Sequence, residues 1–103
     1  MSNQNLSPRQ LAQDILLNVG GKENIKSVAY CMTRLRIETN DLSKVDEKTI
    51  RALNGVLGLV KQDNQIQVIL GPGRVIKVAK EVSEITGLEL GEVDEAAVKK
   101  RRN

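Results

Sequence analysis

The chain has 103 residues, 40% hydrophobic and 28% charged, with a formal net charge of +3. That is enough for one domain with a core of its own. A single cysteine excludes an internal disulfide and the two-thiol redox motif, and the lack of histidine argues against a zinc site. No apolar run reaches the ~20 residues of a membrane helix, and no signal-like segment follows Met1. The expectation is a soluble, cytoplasmic domain. Tyr30 is the only aromatic residue, so Ile, Leu and Val must fill the core.

In chain order, Ser7-Pro8-Arg9-Gln10 opens the first helix, with Ser7 as N-cap, Pro8 at the first helical position and Gln10 completing a capping box. Leu11, Ala12, Ile15, Leu16 and Val19 recur at helical spacing, and Gly20-Gly21 ends the run. Ile25 to Tyr30 is β-prone, and Thr33 to Thr39 alternates as a half-buried strand does. Leu35 and Ile37 fall on its apolar side, Arg34, Arg36 and Glu38 on the solvated one. Cys31-Met32 sits between the two runs, where a hairpin turn fits.

Asp46 caps a short second helix with Glu47 in its first turn and Ile50 and Leu53 on its buried face. Val56 to Lys61 and Gln65 to Leu70 read as a second strand pair around Gln62-Asp63-Asn64. Gly71-Pro72-Gly73 then leads into a helix whose stripe is Val75, Val78, Ala79, Val82 and Ile85, ending at Gly87. The order is α-β-β-α-β-β-α, an α+β layer with helices on one face of antiparallel hairpins. The domain is expected over residues 1–87, with 88–103 as a linker or tail in which acidic and basic residues balance.

Free cysteine is often a buried apolar filler. Here Cys31 stands at an expected turn, and Arg34 and Arg36 follow within five residues. Guanidinium groups and unpaired backbone N–H groups both favour thiolate over thiol. A planar fork of donors also matches phosphate oxygens. The combination points to a sulfur nucleophile that accepts a phosphoryl group. On a continuous strand Cys31 and Arg34 would face opposite ways, so the reading requires a turn between them. The Cys-x5-Arg loop of tyrosine phosphatases is absent, since Ile37 occupies the arginine position. No Walker loop is present either, and no cofactor is implied.

Three segments now carry a resemblance: Cys31-Met32-Thr33-Arg34-Leu35-Arg36, Lys44-Val45-Asp46, and Gln65-Ile66-Gln67-Val68-Ile69-Leu70-Gly71-Pro72-Gly73. The chain resembles the enzyme IIB domain of the glucose–sucrose class of the bacterial phosphoenolpyruvate-dependent sugar phosphotransferase system, over residues 6–87. The resemblance implies a four-stranded antiparallel sheet with three helices packed on one face. It implies that Cys31 is the phosphorylated residue, and that Arg34 and Arg36 are the basic pair supporting transfer. Thr33 and Gln67 match positions near the cysteine, while Met32 and Ile69 are expected on a docking rim. The donor would be a phosphohistidine of enzyme IIA. The acceptor would be a sugar held by the membrane enzyme IIC, which is fused after the linker or separate, so the domain would work at the inner face of the membrane. Gly-Pro-Gly is similar to the N-acetylmuramate, sucrose and trehalose branch, with N-acetylmuramate favoured.

Two rival readings stand beside it. A pI of about 9.2 and α+β order would suit a small RNA-binding domain, but stacking platforms need aromatics. A regulatory module with a structural cysteine would bury the thiol.

Overall fold

The computed structural model describes residues 7–92. Helix α1 spans Pro8–Asn18, and strands β1 (Ile25–Tyr30) and β2 (Arg34–Thr39) follow as a hairpin. Helix α2 (Glu47–Ala52) leads to a second hairpin, β3 (Gly58–Gln62) and β4 (Gln65–Ile69). Helix α3 (Arg74–Thr86) and strand β5 (Leu90–Glu92) complete the described chain.

Local chemistry sets the helix ends. Ser7 Oγ accepts from Gln10 N at 3.1 Å, but the Gln10 side chain bonds forward to Asp14, so only half of the expected capping box forms. At the other end of α1, Gly20 adopts φ 100° and Gly21 N donates to Leu16 O at 3.0 Å. That six-residue reach needs a left-handed residue, which glycine supplies without a Cβ penalty. Asp46 caps α2 by accepting from Thr49 N at 3.1 Å.

The strands form one sheet in the order β3-β4-β2-β1-β5. This corrects the expected four antiparallel strands, because the sheet has five and is mixed. β1–β2, β2–β4 and β3–β4 pair antiparallel, whereas β5 runs parallel to β1. The extra strand comes from the stretch read as linker. Once α3 has crossed the sheet, Leu90 pairs opposite Val28 and partly buries itself against the core, filling the free edge of β1. Three residues with a central glycine carry no periodic signal, which hides such a strand from sequence reading. Residues 93–103, the rest of the expected tail, lie outside the described part.

The core is aliphatic, as a chain nearly without aromatics requires. Leu35 and Ile37 of β2, Ile66 and Val68 of β4, and Val75, Val78 and Val82 of α3 are fully buried beneath the helices. Alternation sends Arg34, Arg36, Gln65, Gln67 and Ile69 to the opposite, helix-free face. One polar residue braces the frame. Asn24, buried, donates to Val19 O at 2.6 Å and Asp41 O at 2.9 Å while accepting from Asp41 N at 2.8 Å.

Ile37→Ala should cost about 2–5 kcal/mol, a large part of the stability of a domain this size, measured by urea unfolding. Bonds from Ser43 to Asp41 and from Thr49 to Asp46 hold both carboxyls below the ordinary aspartate value. A pKa lowered by folding adds stability above the unfolded value and loses it as pH falls through the folded one. Melting temperature should therefore fall below about pH 4. Asp46→Asn, which can still cap but cannot titrate, should flatten that decline.

Candidate active site

The site is built on the β1–β2 reversal. β1 ends at Tyr30 and β2 begins at Arg34, and Cys31 N donates to Arg34 O at 2.9 Å. In the ladder Ala29 pairs with Arg36 and Tyr30 with Leu35, so extending it sets Cys31 opposite Arg34. Residues opposite one another in a pair share a face. The turn thus resets the alternation, and Cys31 shares the helix-free face with both arginines.

A second connection anchors the turn. Thr33 O accepts from Leu70 N at 2.8 Å and from Gly71 N at 3.0 Å, tying the hairpin tip to the β4–α3 junction. Gly71 has φ 92°, in the left-handed region that side chains rarely adopt, although a Cβ there would meet only ordinary contact with Leu57 Cδ1 at 3.5 Å. The backbone conformation is what calls for glycine here.

Cys31 is half-buried. Burial, the largest single influence on its thiol, pushes the pKa up. The backbone N–H groups of Thr33 and Arg34 pull it down, as do a hydrogen bond and the positive charge from the Arg36 side chain. The donors prevail, and the thiol sits below its ordinary value. The result is a sulfur with raised thiolate content at neutral pH, ready to act as a nucleophile.

The arginines are not equivalent. Arg36 is the side chain that lowers the Cys31 thiol, and its Nε is buried with no hydrogen-bond partner among the described residues. Arg34 Nη1 instead donates to Gln67 Oε1 at 2.8 Å. Gln67 is 4% exposed, so it meets the site through Arg34 rather than at the surface. Thr33 contributes its backbone on both sides, N–H to sulfur and carbonyl to the anchor. Ile69 is partly buried opposite Arg34, and Met32 is 78% exposed at the tip.

Sequence reading missed Leu57. Its N donates to Ile69 O at 2.8 Å, and its side chain is 72% exposed. It borders an open depression of about 640 Å³ at the start of α3, also lined by Gly71, Pro72, Arg74 and Lys77. Only a solvent-facing leucine just ahead of β3 hinted at it. Tyr30 packs against the core rather than on the open face, leaving that face without an aromatic platform.

Comparisons with known proteins identify the family. A family described as "phosphotransferase system, EIIB" matches residues 13–46. A crystal structure of one domain of the PTS system IIabc component from Clostridium difficile superposes with a TM-score of 0.76 at 33% identity. The match covers 85% of this chain and 90% of that one. The chain belongs to the EIIB family of the phosphotransferase system. It is also 48% identical over 84 residues to the PTS system MurNAc-GlcNAc-specific EIIBC components of Staphylococcus aureus strains USA300 and NCTC 8325. The match takes in 82% of this EIIB chain but only 17% of the length of those relatives. No helix among the described residues is long and apolar enough to cross a membrane.

Replacing Arg36 by Gln removes both the bond and the charge on the sulfur. The pH midpoint for alkylation of Cys31 by iodoacetamide should move upward, toward that of an ordinary thiol near ~8.5. Rate against pH, compared with wild type, measures the shift.

Proposed function

We propose that Cys31 carries a phosphoryl group, taking it from a phosphohistidine of an enzyme IIA partner and passing it to a sugar held by a membrane enzyme IIC. The observation that carries this reading is the turn closed by Cys31 N on Arg34 O, which sets the Cys31 sulfur on the same strand face as Arg34 and Arg36.

In the first step a sulfur lone pair attacks phosphorus in line. The S–P bond forms, the P–N bond breaks, and the imidazole nitrogen keeps the electron pair. In the second, a sugar hydroxyl oxygen attacks phosphorus, the S–P bond breaks and the thiolate returns. The hydroxyl proton leaves to a base on the acceptor's side or to solvent. Such transfers depend on positioning and charge stabilisation more than on acid–base groups. A phosphoryl group brings ~1.5 to 2 negative charges, more than the single charge of the thiolate it replaces. Arg34 and Arg36 on the same strand face supply the matching positive charge, with forks suited to phosphate oxygens.

The partners and sugar follow from chemistry and relatives. Met32 and Leu57 expose apolar surface at the site end of the sheet, and Arg74 and Lys77 lie beside Leu57. An apolar rim with a basic border suits a donor face that is apolar at its centre and acidic around it. The relatives' stated specificity points to a sugar containing N-acetylmuramate. Transfer to a sugar during uptake would take place on the inner face of the membrane.

Incubating the chain with phosphoenolpyruvate, the general phosphotransferase proteins and a IIA domain should add one phosphoryl group, localised to Cys31 by peptide mass spectrometry. Cys31→Ser should reduce uptake to background while thermal unfolding stays cooperative. Uptake at the wild-type level in that variant would overturn the reading.

A further inference from the structure

Gln67 sits in the middle of the helix-free face. The β2–β4 register sets it opposite Arg36 and sets Ile69 opposite Arg34. Directly opposed side chains are the nearest cross-strand neighbours, so the expected partner of Gln67 is Arg36. Instead its Oε1 accepts from Arg34 Nη1 at 2.8 Å, two pairs along the ladder, while the buried Arg36 Nε stays without a partner.

The direction of the amide is set from its other end. Gln67 Nε2 donates to Gln65 Oε1 at 2.9 Å and to Gln62 Oε1 at 3.5 Å. Three glutamines on two neighbouring strands thereby aim a single carbonyl oxygen at the arginines. That oxygen goes to the arginine whose side chain is not engaged with the sulfur. Of Arg34, only the backbone N–H acts on Cys31.

We propose that Gln67 is a positioning residue, which holds the Arg34 guanidinium aside while Cys31 is empty and yields it to the phosphoryl oxygens once the sulfur is loaded. This rests on the phosphocarrier reading given above. The exchange follows from bond strength. The neutral amide offers Arg34 one acceptor oxygen. A phosphoryl dianion offers two parallel bonds in the guanidinium's fork geometry and adds direct attraction between opposite charges, which the neutral amide lacks. The phosphoryl group therefore outcompetes the amide. The thiolate alone competes less well, because it carries one charge where a phosphoryl group carries ~1.5 to 2. The two cations are used in succession: Arg36 supports the nucleophile, and Arg34 answers the added charge of the phosphocysteine. Competition from Gln67 also limits how firmly the phosphoryl group is held, which favours its departure to the acceptor.

The test is the equilibrium partition of phosphate between a IIA phosphohistidine and Cys31. Gln67→Met keeps volume but removes the acceptor. It should move the partition toward phosphocysteine roughly threefold to tenfold, the worth of one hydrogen bond. Arg34→Gln should move it the other way, and adding Gln67→Met to Arg34→Gln should change nothing further. No shift with Gln67→Met, or a shift that persists without Arg34, would overturn the assignment. Should Gln67→Met fail to fold, nitrogen NMR of the wild-type guanidinium groups decides the matter. Arg34 signals should change on phosphorylation as the Gln67 bond is exchanged, and unchanged signals would overturn the proposal. Wild-type Cys31 that takes up no phosphate at all would remove the carrier reading itself, and this inference with it.

Discussion

The reversal of the chain between Cys31 and Arg34 is the constraint on which the site depends. Strand alternation alone would place the sulfur and the nearer guanidinium on opposite faces. Closing the turn with Cys31 N on Arg34 O cancels that separation, and anchoring Thr33 O on Leu70 N and Gly71 N keeps the tip from fraying. The same anchor occupies the Thr33 carbonyl, whose negative end would otherwise compete for the space around an anion. What remains near the sulfur is a group of donors.

That arrangement decides the contest at the thiol. Partial burial is the largest single influence and favours the neutral form, yet the two N–H groups and Arg36 together reverse it. Arg36 is the only other side chain among the causes of the lowered thiol. Two further features keep the donors in place: the aliphatic core under the sheet, and the glutamine chain on its open side. Core packing fixes the strands, strand register fixes which side chains face each other, and the glutamine chain engages Arg34. A change at Gln65 or Gln62, neither of which approaches the sulfur in sequence, is thus linked to the chemistry through two hydrogen bonds.

Much of this was legible in the residues. The helices announced themselves through Ser7, Pro8, Asp46 and Gly87, and through apolar stripes whose members are buried, such as Val75, Val78 and Val82. Both hairpins, and the sorting of Leu35 and Ile37 from Arg34 and Arg36, followed from period two. Strand β5 was not legible, because Leu90-Gly91-Glu92 is too short for a pattern and owes its place to the open edge of β1. The bracket at Asn24 was hidden too, since asparagine is usually exposed and its partners, Val19 and Asp41, lie on two separate segments. At the site, the closeness of Cys31 to two arginines could be read from spacing. Their unequal roles could not, because the Arg34–Gln67 bond runs diagonally between strands 33 residues apart in sequence.

Cys31 and the two arginines lie along a single rim, backed by the packed core, and in the proposed relay that rim would work as a turnstile. Two bulky visitors cannot stand at it together, so in a relay each must depart before the next can enter. Suppose ~100 transfers per second, within the common range for enzymes. With encounters at about 10⁷ M⁻¹s⁻¹, each stay must then be shorter than ~10 ms. Affinity for either visitor is therefore limited to the order of 10 µM or weaker. A tighter grip would jam the passage.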